Sequence, residues 1–378
     1  MKKKFFLLTT VPISLRFFKG QIAAINNLYE VTLISSPDGS LEEIALEEKV
    51  YHKGIEMKRD ISVFSDLYSF FKLLLYFYRE APHIIHCNTP KASLLGLIAG
   101  FIVRVPTRIY YIHGLRYEGA TGLKQIMLKS MERLSCFCAT HIVAVSEGVK
   151  TTAAADLTQK HISIIHNGSA NGMMIDSFTE STYDLTSIKE ELKLGKHDFV
   201  FGFVGRLVAD KGINELVAAF ARLSIKYPTA KLLLVGYYED ALDPLQQITK
   251  ETIKNNPNIL ECGFQRDVKK YISVMDIFVS PSYREGFGLT LLEANLMGKP
   301  VIATRITGYS EIVVEGVNGF LINKKDVSQL QSRMDYVFNH REEIELMREN
   351  CLNIVRSKYN HDDVKKSAIK FYRQFSSS

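Results

Sequence analysis

Glu285 and Glu293 are the residues whose type and spacing say most about chemistry. They stand eight positions apart and enclose a turn with Gly286 and Gly288, after which a helical pattern begins near Leu289. Backbone amides at a helix N-terminus point outward and bind anions such as phosphate. Each carboxylate offers two acceptor oxygens to hydroxyl groups. The segment therefore combines donors for a phosphate with acceptors for hydroxyls, although a solvated loop charge and a partner of the helix dipole would explain the glutamates singly.

A second group of candidate residues follows an apolar strand predicted at residues 199–204. Gly205 and Arg206 come directly after this strand, and Lys211 stands just before a helix predicted to begin near Ile213. Arginine forms paired hydrogen bonds to phosphate oxygens, and lysine adds a point charge. The two cations can neutralise a diphosphate without a metal, and the sequence contains no Asp-x-Asp motif. Taken alone, the pattern also fits an ordinary turn with solvated charges.

Together these motifs resemble those of the retaining family-4 glycosyltransferases of the GT-B fold, in the branch that makes bacterial capsule and O-antigen polysaccharides. The resemblance implies that Arg206 and Lys211 bind the diphosphate of a nucleotide sugar, that Glu285 contacts the donor sugar, and that Glu293 binds the ribose. It places residues 264–266 at the nucleobase and the backbone amides of residues 287–290 at the phosphates. The implied donor-binding residues are Gly205, Arg206, Lys211, Phe264, Gln265, Arg266, Glu285, Gly286, Phe287, Gly288, Leu289, Thr290 and Glu293.

One histidine and one loop in the N-terminal half complete the implied site. His113 follows a predicted strand and matches the histidine that family members place beside the transferred sugar. We expect it to support the developing oxocarbenium ion, and the resemblance makes it a catalytic residue together with Arg206, Lys211 and Glu285. The loop at residues 12–20 meets acceptor or donor phosphates in relatives, but here it has one glycine instead of two. Its predicted acceptor-binding residues are Ser14, Arg16, Lys19 and Gly20.

Short apolar runs alternate with helical patterns along the chain, which is typical of an α/β fold with parallel sheets. The predicted strands are residues 5–10, 31–35, 84–87, 108–112, 141–145, 162–165, 199–204, 231–235, 259–262, 277–280 and 300–303. A polar segment at residues 167–198 separates two such blocks. We predict two doubly wound, Rossmann-like domains that face each other across a cleft and bind ligands at the carboxyl ends of their strands. The acceptor-binding domain takes residues 1–170 and the donor-binding domain residues 171–359. A last helix at about 360–378 is predicted to cross back onto the first domain.

Composition limits the partners and the compartment. The formal net charge of +6 is too dilute to indicate nucleic acid. Five cysteines form neither a disulfide framework nor a metal-binding pattern, and no apolar run reaches the length of about 18 residues that spans a bilayer. We therefore expect a cytoplasmic enzyme without a metal or another cofactor. The aromatic helix predicted at residues 65–79 fits either core packing or contact with the cytoplasmic membrane surface.

The resulting hypothesis is a retaining hexosyltransferase that uses a nucleotide sugar and a lipid-linked acceptor. The expected donor is a UDP-linked hexose or N-acetylhexosamine, and the expected acceptor is a sugar on polyprenyl diphosphate. The acceptor is implied by the segment His166–Gly172, which resembles the hinge of enzymes that extend such lipid-linked units and equally fits a plain linker. Two other classes share the fold. A sugar-nucleotide epimerase would need no acceptor, and a catalytically silent scaffold would tolerate the loss of Glu285 and Lys211.

Overall fold

The computed structural model describes residues 2–58, 60, 62–175 and 183–376. The chain forms two compact units. Unit 1 consists of Met1–Gly172 and His361–Ser378, and unit 2 consists of Met173–Asn360. The division after Gly172 lies two positions from the boundary predicted at residue 170.

Each unit contains one parallel sheet with helices between successive strands. The strands are β1 (Lys4–Leu8), β2 (Glu30–Ser35), β3 (Tyr51–Gly54), β4 (Ile84–Cys87), β5 (Thr107–Ile112), β6 (His141–Ala144), β7 (Ile162–Ile164), β8 (Phe199–Val204), β9 (Ala230–Val235), β10 (Ile259–Glu261), β11 (Ile277–Ser280), β12 (Val301–Thr304) and β13 (Gly319–Ile322). The helices are α1 (Gln21–Asn26), α2 (Gly39–Glu48), α3 (Val63–Glu80), α4 (Pro90–Ile102), α5 (Gly122–Cys138), α6 (Glu147–Asp156), α7 (Leu185–Glu191), α8 (Ile213–Lys226), α9 (Gln247–Asn255), α10 (Val268–Ser273), α11 (Leu289–Leu296), α12 (Tyr309–Ile312), α13 (Val327–Asn339), α14 (Arg341–Lys358) and α15 (His361–Arg373).

The described residues of unit 1 form a seven-stranded sheet in the order β3-β2-β1-β4-β5-β6-β7. The order reverses between β1 and β4, and the carboxyl ends of strands at such a switch point are where α/β sheets bind ligands. The apolar strand β4 is buried along its whole length, as is usual for central strands of parallel sheets. Helix α15 belongs to this unit although it comes last in the chain. Its Tyr372 is buried, and the Tyr372 carbonyl accepts a hydrogen bond of 2.7 Å from the Tyr29 hydroxyl.

The described residues of unit 2 form a six-stranded sheet in the order β10-β9-β8-β11-β12-β13. Its order reverses between β8 and β11, which makes the carboxyl ends of these strands the expected ligand site. Strand β8 is entirely buried. Helix α8 buries apolar residues at the three- and four-residue spacing of one helix face. These residues are Ile213, Leu216, Val217, Phe220 and Leu223.

Strands β3 and β13 have no counterpart among the predicted strands. All four residues of β3 are exposed, and they lack the apolar run that marks a strand in sequence. The buried segment of β13 has only four residues and begins with Gly319. Runs that short do not distinguish a strand from a loop that packs on the core.

The helix predicted at residues 65–79 is present as the slightly longer α3. Only one narrow stripe of α3 is buried. Ser69, Leu73 and Phe77 are buried at four-residue spacing, whereas Phe64 is 89% exposed and Tyr78 is 75% exposed. Core packing therefore accounts for the buried face of this helix. It is wrong for the opposite face, where the apolar side chains are exposed. No helix in the described part of the chain is long and apolar enough to cross a membrane.

Candidate active site

The loops after β8 and β11 carry most of the predicted donor-binding residues, and the loop after β9 lies beside them. Because β8 lies between β9 and β11, these three loops are neighbours at one edge of the sheet. Gly205 and Gly236 begin two of the loops and approach each other closely. A Cβ atom on Gly236 would lie 1.7 Å from the Gly205 carbonyl oxygen, so the backbones can pass here only with glycine at this position. The packing brings Arg206 and Lys211 to the edge that also holds Glu285.

The two cations expected at the donor diphosphate are both paired with carboxylates. Arg206 forms an ion pair with Glu239, in the loop after β9, and Lys211 forms one with Glu285. The side chains of Lys211 and Glu285 are 21% and 22% exposed, so water screens this pair less than it would at the surface. Carboxylate and phosphate compete for the same donors. A bound diphosphate must therefore exchange with these glutamates.

Two hydroxyl groups also lie beside Glu285. Its Oε1 atom is 3.4 Å from Ser282 Oγ and 3.4 Å from Tyr309 Oη. The Tyr309 hydroxyl is 2.5 Å from Ser280 Oγ, and the side chain is fully buried. Burial, together with the charge of Glu285, raises the pKa of Tyr309 well above its ordinary value, so the hydroxyl keeps its proton and can donate. Tyr309 is a functional neighbour that the sequence motifs do not reveal.

The loop of residues 281–288 is tied to the loop after β8. Backbone N–H of Tyr283 donates to the Asp210 carbonyl at 2.9 Å, and Arg284 forms an ion pair of 2.8 Å with the Asp210 carboxylate. Gly212 contributes to the same junction. It has a left-handed φ of +71°, and a Cβ atom there would lie 2.1 Å from the Pro281 carbonyl oxygen. The glycine is thus required for the contact between the two loops.

Helix α11 begins at Leu289, as predicted, and Gly288 is its N-cap residue. Glycine has no side chain to cap the first amides of the helix, so those of Leu289 and Thr290 can donate to an anion. A Cβ atom on Gly288 would lie 2.6 Å from the Tyr309 ring. Phe287 is buried, and its ring packs against Tyr359 at 5.4 Å, so only its backbone can face a ligand.

Glu293 lies one turn into α11 and has an unusual pKa. Burial raises the pKa of its carboxyl to about 7, and the positive charge of Lys269 partly opposes the shift. Carboxyl groups with pKa values near neutrality are more frequent at functional sites than elsewhere. An ionised Glu293 has acceptors for the two hydroxyls of a ribose diol.

Residues 264–266 follow β10, on the far side of β9 from β8. Phe264 is 66% exposed and meets Tyr237 edge to face at 6.0 Å. The Gln265 amide donates to the Cys262 carbonyl at 2.7 Å, and Arg266 is exposed. The exposed Phe264 ring offers a flat apolar face of the kind that stacks on a nucleobase.

In unit 1, His113 stands at the carboxyl end of β5 and is held on two sides. Its ring packs against Tyr111 at 4.6 Å and against Phe17 at 5.8 Å. Its Nε2 atom lies 3.2 Å from Asn88 Oδ1. Burial lowers the pKa of His113 to about 4, so the ring is neutral at neutral pH. Its expected support of a sugar cation must therefore come from hydrogen bonding and the ring dipole.

The predicted acceptor loop contains a short 3₁₀ helix at Pro12–Phe18. Arg16 and Lys19 both pair with Glu47 of α2, at 3.7 Å and 2.6 Å. The Gly20 amide donates to the Glu48 carboxylate at 2.6 Å, while Ser14 is half-buried. The loop is thus fastened to α2, and a phosphate would have to compete with Glu47 for both cations.

The charges near the candidate diphosphate site come from side chains and helix amides. In the ranges that the structure describes, no three His, Cys, Asp or Glu side chains come together as a metal site requires. Metal independence remains a prediction. The residues that sequence reasoning missed at this site are Glu239, Tyr309, Arg284 and Asp210.

Two families match the chain, one in each unit. Residues 23–169 match Glycosyltransferase Family 4, and residues 184–353 match Glycosyl transferases group 1. The Staphylococcus aureus capsular polysaccharide biosynthesis glycosyltransferase CapM is 34% identical over 377 residues, which cover 99% of this chain and 97% of the relative. The Escherichia coli UDP-Gal:alpha-D-GlcNAc-diphosphoundecaprenol alpha-1,3-galactosyltransferase is 27% identical over 345 residues, which cover 89% of this chain and 86% of the relative.

Solved structures with the same fold cover the whole chain. Anabaena HepE in complex with UDP and glucose has a TM-score of 0.80 at 20% identity and covers 99% of this chain and 100% of its own. Sucrose-phosphate synthase from Thermosynechococcus elongatus has a TM-score of 0.80 at 18% identity and covers 100% of both chains. These likenesses confirm the predicted fold of two Rossmann-like α/β domains. With both families matched in order and a capsule-synthesis relative aligned from end to end, the chain belongs to the family-4 glycosyltransferases of the GT-B fold, of the capsule type.

Proposed function

We propose that this glycosyltransferase moves a hexose or an N-acetylhexosamine from a UDP-sugar to a sugar on polyprenyl diphosphate, with retention of the anomeric configuration and without a metal. The observation that carries the proposal is the arrangement around the start of α11. Lys211 forms an ion pair with Glu285 beside the N-terminus of α11, which has no side-chain cap. Glu293 follows one turn later in the same helix. The arrangement offers cations and amides to a diphosphate and carboxylates to hydroxyls. A nucleotide sugar carries both kinds of group.

Donor binding is proposed to proceed by exchange of ion pairs. The diphosphate takes Lys211 from Glu285 and Arg206 from Glu239. Glu285 keeps the hydroxyls of Ser282 and Tyr309 as neighbours and gains acceptor capacity for the hydroxyls of the sugar. As the bond from the anomeric carbon to the phosphate oxygen breaks, negative charge grows on the leaving UDP. Preorganised cations and amides stabilise that charge.

Retention is proposed to follow from attack on the face that the phosphate leaves. The acceptor oxygen forms the new bond to the anomeric carbon, and its proton passes to the leaving phosphate. This sequence balances without a nucleophilic side chain. The neutral His113 ring is assigned a hydrogen bond to the transferred sugar, which suits a group that carries no charge of its own.

The names of two relatives support the choice of donor and acceptor. The Escherichia coli relative is named for a UDP-Gal donor and a diphosphoundecaprenol-linked GlcNAc acceptor, and HepE was solved with UDP and glucose. In this chain, Arg16 and Lys19 are the cations proposed to meet the acceptor diphosphate, with Ser14 and Gly20 shaping their loop. Both lie within hydrogen-bonding or ion-pair distance of a single carboxylate, that of Glu47.

Attachment to the inner face of the cytoplasmic membrane is proposed through α3 and α5. Both helices pack on α4, and both expose apolar residues at helical spacing. Cations stand on the same helices, which is the composition of helices that lie in a membrane interface. The exposed apolar residues are Phe64, Leu67, Tyr68, Phe71, Leu75 and Tyr78 on α3, and Leu123, Ile126, Met127, Leu134 and Phe137 on α5. The exposed cations include Lys72, Arg79 and Lys124.

Flotation with anionic phospholipid vesicles tests the attachment. Because a buried Phe side chain contributes about 1.5–3 kcal/mol, Phe71→Ser should reduce the vesicle partition coefficient by about tenfold or more. Leu346→Ser is the matched control, since Leu346 is an exposed apolar residue on α14 of unit 2, at 78% exposure against 55% for Phe71. Equal flotation of the wild type and both variants would contradict the membrane assignment while leaving the transfer reaction untouched.

A panel of nucleotide sugars, incubated with membranes that contain polyprenyl-diphosphate sugars, tests the transfer itself. We expect one UDP-sugar to lengthen the lipid-linked acceptor by one residue in excess chelator, with the donor's anomeric configuration in the new linkage. Interconversion of nucleotide sugars without an acceptor would identify an epimerase instead. An unreactive panel would favour a silent scaffold, and activity that only Mg²⁺ or Mn²⁺ restores would contradict the metal-free account.

A further inference from the structure

A chain of hydrogen bonds runs through the core of unit 1 and ends on His113. Tyr372 Oη on α15 lies 3.0 Å from His86 Nε2. His86 Nδ1 lies 3.0 Å from Asn88 Nδ2, and Asn88 Oδ1 lies 3.2 Å from His113 Nε2. Tyr372 and His86 are fully buried, and Asn88 is 3% exposed. The two links from Tyr372 to Asn88 are therefore protected from water, and the last one, to the half-buried His113, reaches the surface of the core.

The orientation of the Asn88 side-chain amide is fixed by two backbone carbonyls. Its Nδ2 atom lies 3.1 Å from the Leu8 carbonyl oxygen and 3.2 Å from the His86 carbonyl oxygen. Carbonyl oxygens only accept hydrogen bonds, so the amide nitrogen must face them. The reverse orientation would bury the amide oxygen against two other oxygens. Asn88 Oδ1 consequently points to His113 as an acceptor.

This orientation determines where the protons of both histidines lie. The two hydrogens of Asn88 Nδ2 are shared among the two carbonyl oxygens and His86 Nδ1, and this amide nitrogen cannot accept a hydrogen bond. A proton on His86 Nδ1 would therefore find no acceptor there, so neutral His86 carries its proton on Nε2 and donates to the Tyr372 hydroxyl. Asn88 Oδ1 accepts, so His113 must donate from Nε2. Burial lowers the pKa of His86 to about 3 and that of His113 to about 4, and each ring therefore carries a single proton at neutral pH. The second nitrogen of His113, Nδ1, is left with a lone pair.

We propose that Asn88 is a positioning residue for His113, which it holds in the Nε2-protonated tautomer so that Nδ1 acts as a hydrogen-bond acceptor towards substrate. Any group that contacts Nδ1 must donate a hydrogen. A sugar hydroxyl meets that requirement, and an ionised phosphate oxygen does not. The substrate half of this inference rests on the proposed function, whereas the tautomer does not. It assigns His113 to the transferred sugar and excludes it from the set of phosphate ligands.

Long-range ¹H–¹⁵N correlation spectra of the ¹⁵N-histidine-labelled full chain at neutral pH test the tautomer directly. The His113 signals are assigned by their loss in His113→Gln. We expect a protonated Nε2 and an unprotonated Nδ1 for His113 in the wild type. A proton on Nδ1, an averaged tautomer or an imidazolium would overturn the proposal, and this result requires no variant of Asn88.

Asn88→Ala tests the cause. Without the amide oxygen, the His113 signals should move towards a mixture of tautomers. Turnover should fall about tenfold, the lower end of the loss when a partner that orients a functional imidazole is removed, while KM for the nucleotide sugar changes little. Cys87→Ala is the control, since Cys87 is the buried neighbour on β4 and takes no part in the hydrogen-bonded chain. It should retain both the tautomer and the turnover.

The experiments distinguish a failure of the Asn88 role from a failure of the proposed transfer reaction. An unchanged His113 tautomer in Asn88→Ala would refute the role of Asn88 even if transfer activity is as proposed. If no nucleotide sugar is transferred by any variant, the proposed function fails, and the spectra still decide the tautomer. Loss of turnover in Asn88→Ala and Cys87→Ala alike would show that damage to the core, rather than the orientation of His113, lowers activity.

Discussion

Replacing Glu285 by glutamine should strengthen UDP binding and weaken transfer. In the structure Glu285 holds Lys211, so UDP must separate this pair before its phosphates gain the lysine. Glutamine keeps the shape of the side chain and removes the charge. Both partners are about one fifth exposed, at 21% and 22%. The free energy of the Lys211–Glu285 pair should thus lie between that of a surface ion pair, about 0–1 kcal/mol, and that of a protected charged hydrogen bond, about 1.5–3 kcal/mol.

A cost of about 1 kcal/mol for breaking the pair corresponds to about a fivefold gain in UDP affinity for Glu285→Gln. Turnover should fall about 10- to 100-fold, because a charged hydrogen bond to the donor sugar is lost. Isothermal titration with UDP and initial rates with the nucleotide sugar measure the two effects. Lys211→Gln is the matched control and should weaken UDP binding. A fall in UDP affinity for Glu285→Gln as large as its fall in turnover would refute the exchange of partners.

Three further predictions concern Glu293 and the loop junction. Burial raises the pKa of the Glu293 carboxyl to about 7 in the folded protein, so the stability that its proton contributes is present below the ordinary pKa of glutamate and is lost as the pH rises through about 7. Between pH 5 and pH 8, Glu293→Gln should therefore gain on the order of 1–3 kcal/mol of unfolding free energy relative to the wild type. An equal difference in Tm between the two proteins at both pH values would contradict this. UDP-sugar binding at pH 7 should release a proton from Glu293, because a carboxylate accepts hydrogen bonds from the ribose hydroxyls better than a protonated carboxyl does. Calorimetry in buffers of different ionisation enthalpy measures this release, and it should be absent for Glu293→Gln. Gly212→Ala should lower Tm and UDP affinity far more than Gly316→Ala, since both have left-handed φ values, of +71° and +73°, but only Gly212 faces a backbone oxygen; similar losses would show that φ alone accounts for the effect.

Much of the fold follows from apolar runs in the sequence. Strands β4, β8 and β11 match the predicted positions residue for residue, because buried parallel strands are continuous apolar segments bounded by polar or turn residues. The edge strand β3 is exposed, so burial leaves no mark on its sequence. For the outward face of α3, the sequence leaves core packing and membrane contact both open for a related reason. Composition shows how apolar a helix is, but the neighbours that cover each face are set by the tertiary structure.

The candidate site shows the same division between local and distant information. Gly288 and Leu289 are predictable as the start of α11, because a glycine-bearing turn followed by a helical pattern is a local signal. The contacts of Glu239 with Arg206 and of Tyr309 with Glu285 are not predictable from the sequence. Glu239 and Tyr309 come from a different loop or helix than their partners and meet them only when the sheet has formed. The pairing of Arg16 and Lys19 with Glu47 joins a loop to a later helix, and no spacing in the sequence indicates it.

The central claim is that the start of α11 and Lys211 bind the diphosphate of a UDP-sugar whose sugar is passed to a lipid-linked acceptor. Transfer of a labelled hexose or N-acetylhexosamine from UDP to purified polyprenyl-diphosphate GlcNAc, in excess chelator, tests it most directly. We predict a lipid-linked disaccharide with retained anomeric configuration from the wild type and a loss of about 10- to 100-fold in the rate for Lys211→Gln. A product of inverted configuration, or a Lys211→Gln variant that transfers at the wild-type rate, would contradict the account.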